Sequence, residues 1–341
     1  MYIHNSIDSF IKYLECKSND TSFMSPMFMG YRDKSKNLLV EKDVVLEKMS
    51  NLRSKITDVS YEMEDSHALV YYLLGDIKYI SKVRFDNDGL VNSIVEEIYN
   101  PNNSVCVLRI EYDGKNYYGM QKQKKENEST IQDELEKALK EMLNKDVIVY
   151  PASRTDRGVH AKGQVVHFDS NNISPDSYKY ALNNLLPKDI RIKDVYLRSQ
   201  LFNARYDVVE KTYNYIVDMS DYSVFNKDYV YYHKVNNISK IRQELKSLIG
   251  THDFKAFCKG EKEDTIRTIY DASLHLDGSK LIFTFTGDGF LHNMIRFIVG
   301  SLLKIDESGV GSLKHIIDSK DKNLTNILAP ASGLYLVNIR Y

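Results

Sequence analysis

The densest set of reactive groups is one stretch, Ser153-Arg154-Thr155-Asp156-Arg157-Gly158-Val159-His160. A carboxylate stands there between two guanidinium groups. Short β-branched and aromatic runs at 147–150 and 164–168 read as strands on either side. Pro151 and Gly158 bracket the polar residues, so they form a turn or loop. A carboxylate withdrawn from water stays ionised only beside a cation or hydrogen-bond donors. Held in that way, Asp156 is a candidate nucleophile. Read alone, it is a loop cap or a surface charge sooner than a nucleophile. Other chemistries find no residues: no Cys/His cluster has metal-ligand spacing, and no phosphate-cradling glycine pattern occurs.

Two further features stand out. Arg296 lies inside a strongly apolar helical run, 290–302, where an unpartnered guanidinium is costly. Tyr213 and Tyr215 sit two apart in a strand-like run, 211–216, and so share a face. Among 25 tyrosines, packing is the ordinary role. His160 and His167 read as hydrogen-bonded structural residues.

These groups need a scaffold. The chain has 341 residues, enough for two or three domains, with 43% hydrophobic and 27% charged residues. No apolar run is long enough to span a bilayer, and no signal peptide is evident. Cys16, Cys106 and Cys258 are scattered, which fits a reducing cytoplasm and no disulfide framework. The net charge is −1, but residues 1–104 hold 12 Lys+Arg against 16 Asp+Glu and the remainder 34 against 31. That asymmetry separates two units, and any nucleic-acid contact must come from a local basic patch.

Residues 3–14 and 40–49 have helical spacing, 17–37 read as loop, and 68–74, 77–85 and 90–99 read as strands. Asp86-Asn87-Asp88-Gly89 joins the last two as a hairpin. Residues 1–100 therefore form a small α+β accessory domain, and 101–104 are its linker. In 105–341, strands are expected at 105–114, 190–197, 211–216, 265–276, 280–286 and 329–337. Helices are expected from Ser129 or Thr130, from Ser174 to 186, over 238–249 and over 290–302.

The octet, with the following Ala161-Lys162-Gly163-Gln164-Val165-Val166-His167-Phe168, resembles the signature of the TruA-type tRNA pseudouridine synthases. The blocks Asn116-Tyr117-Tyr118-Gly119-Met120-Gln121, Lys211-Thr212-Tyr213-Asn214-Tyr215 and Thr251-His252-Asp253-Phe254 extend the resemblance, as does Phe290-Leu291-His292-Asn293-Met294-Ile295-Arg296. It covers about 105–341. It implies an α+β fold of two α/β subdomains, about 105–205 and 206–341, with antiparallel sheets around a central cleft. The implied reaction detaches uracil from C1′ and reattaches it through C5. A carboxylate can do this by covalent addition at the sugar or the base. Asp156 takes that role, Arg296 pairs with it, Tyr213 stacks on the uracil, Arg154 holds the flipped nucleotide, and Leu334 packs on the base. No metal or cofactor is implied. The implied substrate is the anticodon stem-loop of tRNA at positions 38, 39 or 40, clamped by a cytoplasmic homodimer. Ser153 and Arg157 replace the family's small residues, and Met120 its Trp. Ser153 and Arg157 motivate an alternative, a tRNA-binding or folding factor without turnover. Residues 1–100 are similar to NTF2-like (SnoaL-like) domains and carry no recognisable catalytic set. They read as a small-molecule or protein-interaction module regulating the enzyme, or as a dimerisation or solubility appendage, of unknown partner.

Overall fold

The structure, a computed structural model, describes residues 2–32, 38–64, 66–123, 128–170 and 173–341. Residues 33–37, the end of the expected loop at 17–37, lie outside the described residues. Two compact units emerge: Met1–Val105 with Arg198–Phe202, and Cys106–Leu197 with Asn203–Tyr341.

The first unit runs α1 (Tyr2–Leu14), β1 (Gly30–Arg32), β2 (Leu38–Leu39), α2 (Lys42–Arg53), β3 (Ile56–Met63), β4 (His67–Leu74), β5 (Ile77–Phe85) and β6 (Val91–Ile98). Its six-stranded sheet has the order β2-β1-β6-β5-β4-β3. The helical stripe Ile7, Phe10 and Leu14 is buried on the sheet core with Val70, Val83 and Ile94. In the β5–β6 hairpin the Asp86 carboxylate accepts from the Asp88 and Leu90 amides at 3.0 and 2.9 Å. Gly89 supplies the positive φ of +77°. Strand β3 and the short β1 were not expected. The β3 burial pattern is mostly exposed and intermediate, so hydrophobic alternation is faint there. Residues 198–202 join this unit because the Gln200 amide nitrogen bonds Glu97 at 2.9 Å and the Ile98 carbonyl at 3.0 Å.

The second unit runs β7 (Ser104–Tyr112), α3 (Ile131–Leu143), β8 (Tyr150–Pro151), β9 (His160–Asp169), α4 (Pro175–Leu185) and β10 (Ile190–Ser199). It continues with β11 (Glu210–Asp218), β12 (Tyr231–Tyr232), α5 (Ile238–Lys246), β13 (Gly250–Asp253), β14 (Ile266–Asp277), β15 (Lys280–Gly287), α6 (Met294–Ser308), α7 (Leu313–Ser319) and β16 (Leu334–Arg340). One ten-stranded sheet spans both halves in the order β10-β7-β9-β16-β11-β15-β14-β13, with β8 on β9 and β12 on β11. The halves meet at a short parallel seam, Tyr335 beside His160 and Leu336 beside Ala161. That seam begins at the last residue of the octet.

Thr130 caps α3, and Asp133 returns the bond to the Thr130 amide in a capping box. Three expectations change, the first being that the strand expected at 329–337 begins only at Leu334, after a short 3-10 turn at Ala331–Gly333. Residues 147–149 are not a strand: the Val149 amide donates to Glu136 Oε1 at 3.1 Å and its carbonyl accepts from Gln132 Nε2 at 3.1 Å, so α3 side chains satisfy it. The last apolar helix starts at Met294, four residues after Phe290, because Asn293 is left-handed with φ +63°. His292 therefore lies in a turn.

Close approach fixes the octet from outside. A Cβ on Gly114 would sit 1.9 Å from the Val159 carbonyl oxygen, and one on Gly119 2.6 Å from that of Thr155. Gly114→Ala is expected to cost about 3 kcal/mol or more in urea unfolding, from backbone overlap. Gly75→Ala, with open space but φ +62°, is expected to cost only about 1 kcal/mol. Equal losses would contradict the overlap.

Candidate active site

The octet loop is tied down residue by residue. Gln164 is fully buried in β9. Its Nε2 donates to the Ser153 carbonyl at 2.8 Å and its Oε1 accepts from the Ser153 amide at 3.2 Å. Tyr112, at the end of β7, shares a hydroxyl bond with Thr155 Oγ1 at 2.7 Å. The Met120 amide donates to the Thr155 carbonyl at 3.1 Å and the Val159 amide to that of Asp156 at 3.1 Å. The residue between these anchors is Asp156.

Two nitrogen-bearing side chains from the second half of the unit, Arg296 and His292, reach Asp156. Arg296 Nη1 lies 3.4 Å from Oδ2, and His292 Nε2 lies 3.4 Å from Oδ1. The Asp156 side chain is 24% exposed and Arg296 14%, so the pair is sheltered yet reachable. Arg296 is itself held: Nε donates to the Ala329 carbonyl at 2.8 Å and Nη1 to Asn293 Oδ1 at 3.1 Å. Both contacts to Asp156 are long for charge-assisted hydrogen bonds. They offset the negative charge while leaving the carboxylate lone pairs largely free.

Tyr213 reaches the octet: its hydroxyl lies 2.7 Å from Ser153 Oγ, and Phe290 packs edge-on to its ring at 5.2 Å. Tyr215 donates instead to the Pro330 carbonyl at 2.7 Å. Burial raises the Tyr213 hydroxyl above its ordinary range, against the opposing Ser153 bond. Burial also pushes Tyr112 up to about 12. Both stay neutral donors at physiological pH. Leu334 is buried at the start of β16, in register with Tyr215.

The expected pair of arginines around the carboxylate divides. Arg154 is exposed and has no acidic partner among the described residues. Arg157 lies 4.1 Å over the Tyr118 ring. His160 and His167 are structural in geometry: the Gly114 amide donates to His160 Nδ1 and the Ala204 amide to His167 Nδ1, each at 3.2 Å.

The sequence reading missed His292, Gln164 and Lys211. A polar His-Asn pair inside an apolar run, and a Gln inside an apolar strand, were the available signals. Lys211 Nζ donates to the Ala152 carbonyl at 2.9 Å, just before the octet. Burial, then Arg205 and Arg267, lowers its amine to about 8. Between pH 8 and its ordinary value near 10.5 the unfolded chain binds the extra proton, so folding stability rises with pH in that window. Lys211→Met should remove this rise. Urea midpoints of parent and variant from pH 7.5 to 9.5 check it, and parallel curves would contradict it.

The sequence pattern of the family described as tRNA pseudouridine synthase matches residues 109–207 and 245–341. Asp156, Arg154, Arg296 and Leu334 lie inside those segments, whereas Tyr213 and Lys211 lie between them. The tRNA pseudouridine synthase A of Exiguobacterium sibiricum is 43% identical over 237 residues, 68% of this chain and 94% of that protein. That of Anoxybacillus flavithermus is 41% identical over 240 residues, 68% and 96% respectively. Among solved structures, a steroid delta-isomerase from Pseudomonas aeruginosa is similar over 29% of this chain and 81% of that chain, with 14% identity and a TM-score of 0.25.

Proposed function

Because the chain belongs to the tRNA pseudouridine synthase family, we propose that it isomerises uridine to pseudouridine in the anticodon stem-loop of tRNA, at position 38, 39 or 40, with Asp156 as the nucleophile. The observation that supports this reading is the Asp156 carboxylate, anchored through its neighbours and flanked at 3.4 Å by Arg296 and by His292. The uridine in structured RNA must leave its stack to reach that oxygen. Asp156 then adds covalently to the sugar or the base, the N1–C1′ bond breaks, and the freed ring turns. A C5–C1′ bond forms, the carboxylate is released, C5 loses its proton, and N1 gains one. Nothing is oxidised or reduced.

The neighbours take matching roles. Arg296 offsets the charge on Asp156 in a sheltered site. Tyr213 offers a ring to the uracil and a neutral hydroxyl beside the octet. Arg154 is exposed, with no acidic partner among the described residues, and therefore available to a phosphate or to the flipped nucleotide. Leu334 packs against the base. We read the enzyme as a cytoplasmic homodimer, which sedimentation with and without tRNA would test.

Incubation with tRNA should create a uridine isomer of unchanged mass that becomes carbodiimide-reactive. Asp156→Asn should abolish this signal while tRNA binding persists. An active Asp156→Asn enzyme would remove Asp156 from its role. Arg296→Lys should lower turnover by about 10²-fold, the scale for losing one oriented charge donor. Single-turnover assays check this, and a parent-like rate would contradict it.

A further inference from the structure

A pocket of about 300 Å³ opens in the catalytic unit beside the octet. His160 and Tyr335 form part of its wall, stacked at 4.8 Å. Its acids are already occupied. Asp113 accepts from the Tyr229 hydroxyl at 2.8 Å and lies 3.2 Å from His160 Nδ1. Glu111 pairs with Lys193 at 3.2 Å, and Asp189 accepts from the Tyr117 hydroxyl at 2.6 Å. Its cations are not. Lys162, Lys188 and Arg191 are exposed, and none has an acidic partner among the described residues. Lys162 only leans over the Tyr335 ring, 5.6 Å from its centre.

We propose that this pocket holds a backbone phosphate of the substrate RNA, on a nucleotide other than the one that reacts. The assignment rests on the isomerase reading above and adds to it a second contact point for the strand. Three exposed cations around a concavity, with no ion-pair partner among the described residues, attract a diffuse anion and release its counterions when it binds. The volume matches a nucleotide-sized group rather than a bare ion. The pocket is also joined to the reacting loop. His160 ends the octet, and Tyr112, which lines the pocket, bonds Thr155 next to Asp156 at 2.7 Å. A strand seated here is set in register with the nucleophile.

The test is the double variant K188Q/R191Q, in which both replaced side chains are solvent-exposed. Its melting temperature, read beside the parent's, verifies that it folds. Binding of unmodified tRNA is measured over a salt series. We expect affinity to fall about tenfold and the slope of log K against log salt to shrink by about 0.7 to 0.9, the loss of one phosphate contact. KM for tRNA should rise while kcat stays at the parent value. An unchanged salt slope, or a loss confined to kcat, overturns the proposal. Uridine monophosphate at millimolar concentration distinguishes the sources of the phosphate. Weak competition fits a site for a strand, and full displacement of tRNA at the site overturns it in favour of a free nucleotide. Binding needs no turnover, so failure of this proposal and failure of the isomerase reading are separately visible.

Discussion

The site depends on a seam two residue pairs long. Strands β9 and β16 pair in parallel at His160–Tyr335 and Ala161–Leu336. This pairing brings the first half of the catalytic unit, which carries Asp156, to the second half, which carries Arg296. The residues feeding β16 complete the link, since Ala329 exchanges hydrogen bonds with Arg296 through its carbonyl and its amide. A carboxylate and a guanidinium 140 residues apart thereby meet without either riding on a free loop. Moving the seam by one residue would turn alternate side chains to the other face of the sheet and separate the pair.

The local chemistry follows from how the loop is held. Gln164, Tyr112 and the close-packed Gly114 and Gly119 all act on the backbone or neighbours of Asp156, not on its carboxylate. Among the described residues, the carboxylate itself meets two long side-chain contacts, from Arg296 and His292. Rigid support with loosely engaged oxygens suits a group that must form and break a bond at carbon.

Much of this was legible in the chain itself. The octet, the capped α3, the β5–β6 and β14–β15 hairpins and the guanidinium in an apolar run each have a local cause that leaves a local mark. What was not legible depends on distant partners. Residues 147–149 look like a strand until Gln132 and Glu136 take their hydrogen bonds. The start of α6 looks like Phe290 until Asn293 turns left-handed and sets His292 beside Asp156. The continuity of the sheet across both halves, and the attachment of 198–202 to the N-terminal unit, arise from pairings between residues far apart in sequence.

The central claim is that the Asp156 carboxylate bonds to the substrate. Rapid quenching of the enzyme with tRNA, followed by nuclease and protease digestion and mass spectrometry, reads this directly. A transient nucleotide adduct is expected on the peptide containing Asp156, decaying as product accumulates. An adduct on another residue, with Asp156 unmodified throughout turnover, would contradict it.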